Sequence, residues 1–199
     1  MLRGLLIGFS IAAPVGPIGV LCIRRTLTDG RLSGLVSGLG AATADAVYGS
    51  IAGFGLAFVS TFLISQELWL RLVGGAFLCY LGIKTLLAKP ANQAAPTRGN
   101  GLLAAYVSTF LLTLTNPLTI LSFAAIFAGL GLAGTGGHYT SAGMLVLGVF
   151  TGSALWWFLL SGGVGIFREK FTRCGLQWVN RISGVIILGF GLFALAGVF

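Results

Sequence analysis

The sequence predicts an all-α integral membrane protein, with six transmembrane helices forming two inverted three-helix repeats in which helices 1 and 4 are broken. Three observations carry that expectation. Of 199 residues, 56% are hydrophobic and only 8% charged, with a mean hydropathy of +0.99. A water-soluble domain has about 25% charged residues, so this chain cannot cover a water-facing surface and a soluble enzyme is excluded. The chain also divides into uncharged runs long enough to span a bilayer, which takes about 20 residues. Finally, its two halves match each other at nearly constant shifts.

The first run is Gly4 to Ile23. It holds Ala13-Pro14-Val15-Gly16-Pro17. Each proline removes a backbone donor and clashes with the preceding turn, and glycine loosens the chain further, so helix 1 breaks there. A cleavable leader competes with this reading, since Met1-Leu2-Arg3 is a basic start and Ser10-Ile11-Ala12 offers small residues for cleavage. A removed leader should have no counterpart in the second half, and this segment has one. It is therefore expected to be retained.

The second run, Leu32 to Gln66, is interrupted only by Asp45. Gly34, Gly38, Ala42, Ala46 and Ser50 recur every four residues, a small-residue face that lets helices approach closely. The third run, Leu68 to Leu87, has Arg71 and Lys84 near its ends, and Glu67 with Arg71 has the i,i+4 spacing of an edge ion pair. Lys89 to Arg98 is polar and proline-bearing. It divides the chain into a first repeat (1–88), a cytoplasmic linker (89–100) and a second repeat (101–199).

From Gly99 to Phe167 there is no Asp, Glu, Lys or Arg. That stretch exceeds one span and divides at the glycine cluster Gly134-Thr135-Gly136-Gly137-His138-Tyr139. Helix 4 then contains Thr115-Asn116-Pro117, and helix 5 carries Gly148, Gly152 and Trp156-Trp157. The last run, Leu176 to Phe199, has Arg181 near its start.

A shift of 100 lays Gly16-Pro17-Ile18 on Asn116-Pro117-Leu118, and a shift of 109 lays Trp69, Gly75, Gly82 and Leu86 on Trp178, Gly184, Gly191 and Leu195. Three spans per repeat is an odd number, so the second half enters the membrane from the opposite side. Inverted repeats of this kind place a binding site near the midplane, where broken helices meet. Pro14, Pro17 and Pro117 mark those breaks. The half-helices following Pro17 and Pro117 present partly positive N-termini suited to a carboxylate, with Gly16 and Asn116 beside them. Asn116 adds a side-chain donor or acceptor.

Asp45 lies deep in helix 2, where an aspartate costs about 2.5–3.5 kcal/mol on the insertion scale. Such a residue needs a proton, a partner or a cavity. It is the candidate for binding a substrate ammonium, a proton, or each in turn. Tyr48, Phe123 and Trp156 are candidate pathway-lining aromatics.

Net charge is +8, but Lys and Arg distribute as a topology signal. Arg24, Arg25, Arg31, Lys84, Lys89, Arg98, Arg168, Lys170, Arg173 and Arg181 fall on the odd loops and their edges, against Arg3 and Arg71 opposite. The odd loops are therefore cytoplasmic and both termini outside, and the basic excess requires no nucleic acid. Cys22, Cys79 and Cys174 form no C-x-x-C pair and no metal-spaced cluster, so neither a disulfide framework nor a metal site is expected. Small-residue faces serve packing within one chain or between chains, which leaves a homo-oligomer open.

With Ala13-Pro14-Val15-Gly16-Pro17, Gly38-x-Gly40 to Asp45, Leu81-Gly82-Ile83-Lys84 and Asn116-Pro117 in this order, the chain resembles the lysine exporter (LysE/RhtB) family of bacterial amino-acid exporters. The likeness covers essentially the whole chain. It implies export of amino acids or close analogues across the bacterial inner membrane, driven by protons or membrane potential, with no cofactor. It does not name the substrate. The expected mechanism sets the substrate carboxylate against the half-helix ends and its ammonium against Asp45, with Asp45 binding a proton or the ammonium but not both. Rival readings are an exporter of a metal ion or another metabolite, a passive channel, and a thiol-based electron-transfer module. The last lacks a redox pair at equivalent positions, because the counterpart of Cys22 is Ser122.

Overall fold

The computed structural model describes residues 1–14, 16–54, 66–87, 100–116, 119–120, 122–123, 139–167 and 173–196. Expectations that concern Val15, Pro117, residues 89–98 and the glycine cluster at 134–138 lie outside them. The described residues form seven helices and no strand: α1 Leu2–Ala12, α2 Pro17–Asp29, α3 Arg31–Gly53, α4 Glu67–Leu86, α5 Asn100–Leu114, α6 Tyr139–Phe167 and α7 Arg173–Ala196. Among the described residues three stretches are long and apolar enough to cross a membrane, namely Leu68–Leu86, Thr140–Ile166 and Gln177–Ala196. α1 and α2 pass the same test only when taken together as one span bent by 80° at the break.

Large apolar side chains face outward, and buried hydroxyls sit among an apolar core. Phe193, Leu2 and Trp69 are 76%, 71% and 63% exposed, whereas Thr26, Ser37, Thr109 and Ser153 are fully buried. Helices tolerate hydroxyls there because each can bond a carbonyl one turn back. Thr26 donates to Cys22 O and Thr109 to Ala105 O, at 2.8 and 2.9 Å.

Arg24 and Arg25, expected on the first odd loop or its edge, lie within α2, which continues through them to Asp29. Gly30 alone makes the turn into α3, with φ 109°, a conformation that a side chain at Cβ disfavours. The charged residues can stay helical because both guanidinium groups find acceptors inside the protein.

Close helix contacts fall at the glycines. Parallel α1 and α6 interlock through Gly4 and Gly8 on one side and Gly148 and Gly152 on the other. Parallel α3 and α5 meet where Gly40 faces Tyr106 O. α3 and α6 are antiparallel, with Gly34 near Ser161, Gly38 against Trp157 and Gly53 near Ala142. α4 and α7 are also antiparallel: Gly75 abuts Gly191 and Leu195, and Gly184 abuts Gly82 and Leu86.

A Cβ on Gly8 would stand 2.1 Å from Val149 O and 2.8 Å from Val149 Cα, which are backbone atoms that cannot rotate away. Gly8→Ala should therefore force α1 from α6 and cost about 1–3 kcal/mol, the usual range for overpacking. Thermal unfolding in detergent checks this. Gly16→Ala is the control, since a Cβ there meets nothing within 4 Å.

Candidate functional site

A cavity of about 300 Å³ opens at the break between α1 and α2. Pro14, Gly16 and Pro17 line it from the break, Asp45 from α3, Thr113, Asn116 and Thr119 from the α5 side, and Trp157 from α6. Helices of both halves of the chain thus contribute. Asp45 is the single charged residue among the described lining residues.

The break follows from the sequence. Pro14 and Pro17 have no N–H for the carbonyls of Ser10 and Ala13, so the α-helical ladder cannot pass through them. Ala13 N–H still bonds Phe9 O at 3.0 Å, closing α1, and Gly16 N–H turns back to Pro14 O at 3.0 Å. α2 then begins with Gly16 as N-cap and Pro17 in the first turn, and no side chain caps it. Ile18 and Gly19 of that uncapped turn line the cavity. Such an end carries roughly half a positive charge and undirected N–H donors, an environment for an anion.

The second helix end is built differently. α5 stops at Leu114, and Asn116 O accepts Thr119 N–H and Ile120 N–H at 3.1 and 3.2 Å. Asn116 therefore stands just before the helical residues 119–120 and 122–123, and its Nδ2 donates to Thr119 Oγ1 at 3.0 Å.

Asp45 is only 3% exposed. Ser153 Oγ donates to its Oδ2 at 2.7 Å, and Trp157 Nε1 donates to Ser153 Oγ at 3.2 Å. A single hydroxyl proton is thereby committed to Asp45, because the indole occupies the acceptor side of Ser153. The relay fixes the carboxyl rotamer at the cavity wall.

The remaining candidates lie elsewhere. Tyr48 is buried behind the cavity, where its hydroxyl donates to Leu114 O at 2.5 Å and its ring packs on Phe123 with centroids 5.4 Å apart. Neither ring is among the cavity-lining residues. Trp156 packs edge-on against Phe9 at 5.3 Å, and it is the neighbouring Trp157 that faces the cavity. Ser153 escaped the sequence reading as a site residue, and of the pair Trp156-Trp157 that reading chose the wrong member for the pathway. A usable signal for Ser153 was present: it follows Asp45 by 108 residues, between the repeat shifts of 100 and 109.

Arg25 was also missed as more than a topology marker. Its Nη1 lies 2.9 Å from Ser37 Oγ, 3.0 Å from Ala105 O and 2.8 Å from Thr109 Oγ1, and its Nη2 donates to Ser108 Oγ at 2.8 Å. One guanidinium thereby ties α2 to α3 and α5. Arg24 Nε donates to Asn180 Oδ1 at 2.9 Å, tying α2 to α7. These ties anchor the far end of the helix whose first turn forms the cavity.

A family model described as LysE type translocator matches residues 9–197, nearly the whole chain. The chain belongs to the LysE type translocator family. Among known proteins it is similar to the "Putative amino acid efflux protein YcgF" of Bacillus subtilis, 31% identical over 95% of this chain and 91% of that protein. It is also similar to the "Uncharacterized membrane protein slr1627" of Synechocystis, 27% identical over 93% of this chain and 90% of the relative. The "Uncharacterized membrane protein YahN" of Escherichia coli is 31% identical over 87% of this chain and 77% of its own length. No solved structure matches the chain. This LysE translocator is therefore a multi-pass membrane transporter, and the cavity at its broken helix is the candidate passage for cargo.

Proposed function

We propose that this translocator exports amino acids or close analogues from the cytoplasm across the bacterial inner membrane, exchanging them for protons. The observation that carries the reading is the juxtaposition of Asp45 with the uncapped N-terminus of α2 in one cavity. An amino acid is a zwitterion. Its carboxylate suits the α2 end and Asn116, and its ammonium suits Asp45. If Asp45 holds either a proton or the ammonium, occupancy alone couples outward cargo to inward protons. The name of the Bacillus subtilis relative supports amino acids as the cargo class.

Alternating access would come from six spans in two inverted repeats, with both termini outside. The contacts support this. Exchanging residues across the shift of 109 turns the contact of Gly75 with Gly191 and Leu195 into that of Gly184 with Gly82 and Leu86. A shift of 108 likewise turns Gly34–Ser161 into Gly53–Ala142 and leaves Asp45–Ser153 on itself. In this reading Asp45 and Ser153 straddle the pseudo-two-fold axis, where a site stays fixed while the repeats rock about it.

The test is efflux from proteoliposomes loaded with mixed amino acids under an imposed inward proton gradient, with the contents followed by mass spectrometry. Selective, gradient-dependent loss of one amino-acid class is the expected result. No selective loss from folded, oriented protein would overturn the reading and point to a metal ion or another metabolite.

A further inference from the structure

A second cavity, of about 250 Å³, adjoins the first and shares Pro17, Asn116 and Phe190 with it. We propose that this second cavity holds the side chain of the transported amino acid and restricts the cargo to uncharged, mainly apolar side chains. The inference rests on the export reading above and adds to it the substrate class.

The argument is one of placement and chemistry. With the amino and carboxyl groups held at Asp45 and the α2 end, the shared residues Pro17, Asn116 and Phe190 open a path for the substituent on the α-carbon into the second cavity. Beyond Phe190 it meets Leu78 of α4, Leu112 of α5, and Phe193 and Ala194 of α7. Those walls reward apolar surface and offer little to replace the hydration of a charge. Among the described lining residues Arg71, on the first turns of α4, carries a charge and has an interaction partner of its own. A lysine, arginine or glutamate side chain entering there would give up hydration that the apolar walls do not replace. The two cavities thus differ in character: an acid in the first attracts the ammonium common to all amino acids, and apolar walls in the second favour apolar side chains.

The test uses the full chain in proteoliposomes loaded with alanine, leucine, phenylalanine, lysine and glutamate together. Leucine and phenylalanine should leave roughly tenfold or more faster than lysine or glutamate, since a single methylene in an apolar pocket is worth about 10–200-fold. Ala194→Phe fills the second cavity without touching the first. It should slow leucine and phenylalanine roughly tenfold relative to alanine.

Three outcomes would overturn the inference while leaving amino-acid export standing. They are a panel exported without discrimination, a preference for lysine or glutamate, and an Ala194→Phe protein of unchanged melting temperature whose selectivity profile is unaltered. The last would assign the cavity to a lipid chain. If no amino acid leaves at all, the export reading falls and this inference falls with it.

Discussion

Asp45→Asn should reduce proton-driven efflux to the level of protein-free liposomes while the protein still folds. The substitution is nearly isosteric, and its amide oxygen can still accept from Ser153, whose hydroxyl now bonds Oδ2 at 2.7 Å. What is lost is the capacity to carry a proton and to neutralise an ammonium. Two assays separate those roles. If exchange of cargo persists without a gradient and only the gradient dependence disappears, Asp45 carries the proton alone. If exchange vanishes too, Asp45 also binds the ammonium. Unchanged gradient-driven efflux would refute the coupling role. Ser153→Ala removes only the orienting donor, and a hydrogen bond to a charged group contributes about 1.5–3 kcal/mol. That variant should slow coupled efflux without abolishing it.

Arg25→Met should cut transport at least about tenfold and lower thermal stability, because charge-assisted bonds of about 1.5–3 kcal/mol each are lost together. The hydroxyls left behind are not orphaned. Ser37 already donates to Ser33 O, and Thr109 and Ser108 to Ala105 O, at 2.8, 2.9 and 3.2 Å. The damage is therefore loss of the tie between α2, α3 and α5, and not the stranding of buried polar groups. α2 carries the uncapped turn of the cavity at one end and Arg25 toward the other, so freeing Arg25 lets the site's own wall shift. Arg25→Lys keeps the charge but lacks the guanidinium fork. It should be intermediate in both efflux rate and unfolding temperature. Wild-type efflux in Arg25→Met would show that the tie is structural ornament only.

Much of this was legible in the chain. Composition and run length settled a helical membrane protein, because lipid leaves helices and closed barrels as the only spanning options. The proline spacing located the break between α1 and α2 to within a residue or two, since a missing N–H is a local fact. Asp45 stood out because a carboxylate in an apolar run is expensive wherever the run folds. Arg24 and Arg25 were legible only as topology markers, because the acceptors that hold them, on α3, α5 and α7, are distant in sequence.

Features governed by one residue and its near neighbours were thus written in the chain: helical spans, the proline break, the buried acid and the family. Which side chains share a cavity was decided only by tertiary structure. Trp157 instead of Trp156 faces the cavity because α6 turns about 100° per residue, and the register of α6 is set by glycines that interlock with α1. Ser153 meets Asp45 across 108 residues because antiparallel α3 and α6 approach closely at Gly38 and Gly34. Contacts of that separation depend on how whole helices dock, and no local pattern encodes the docking.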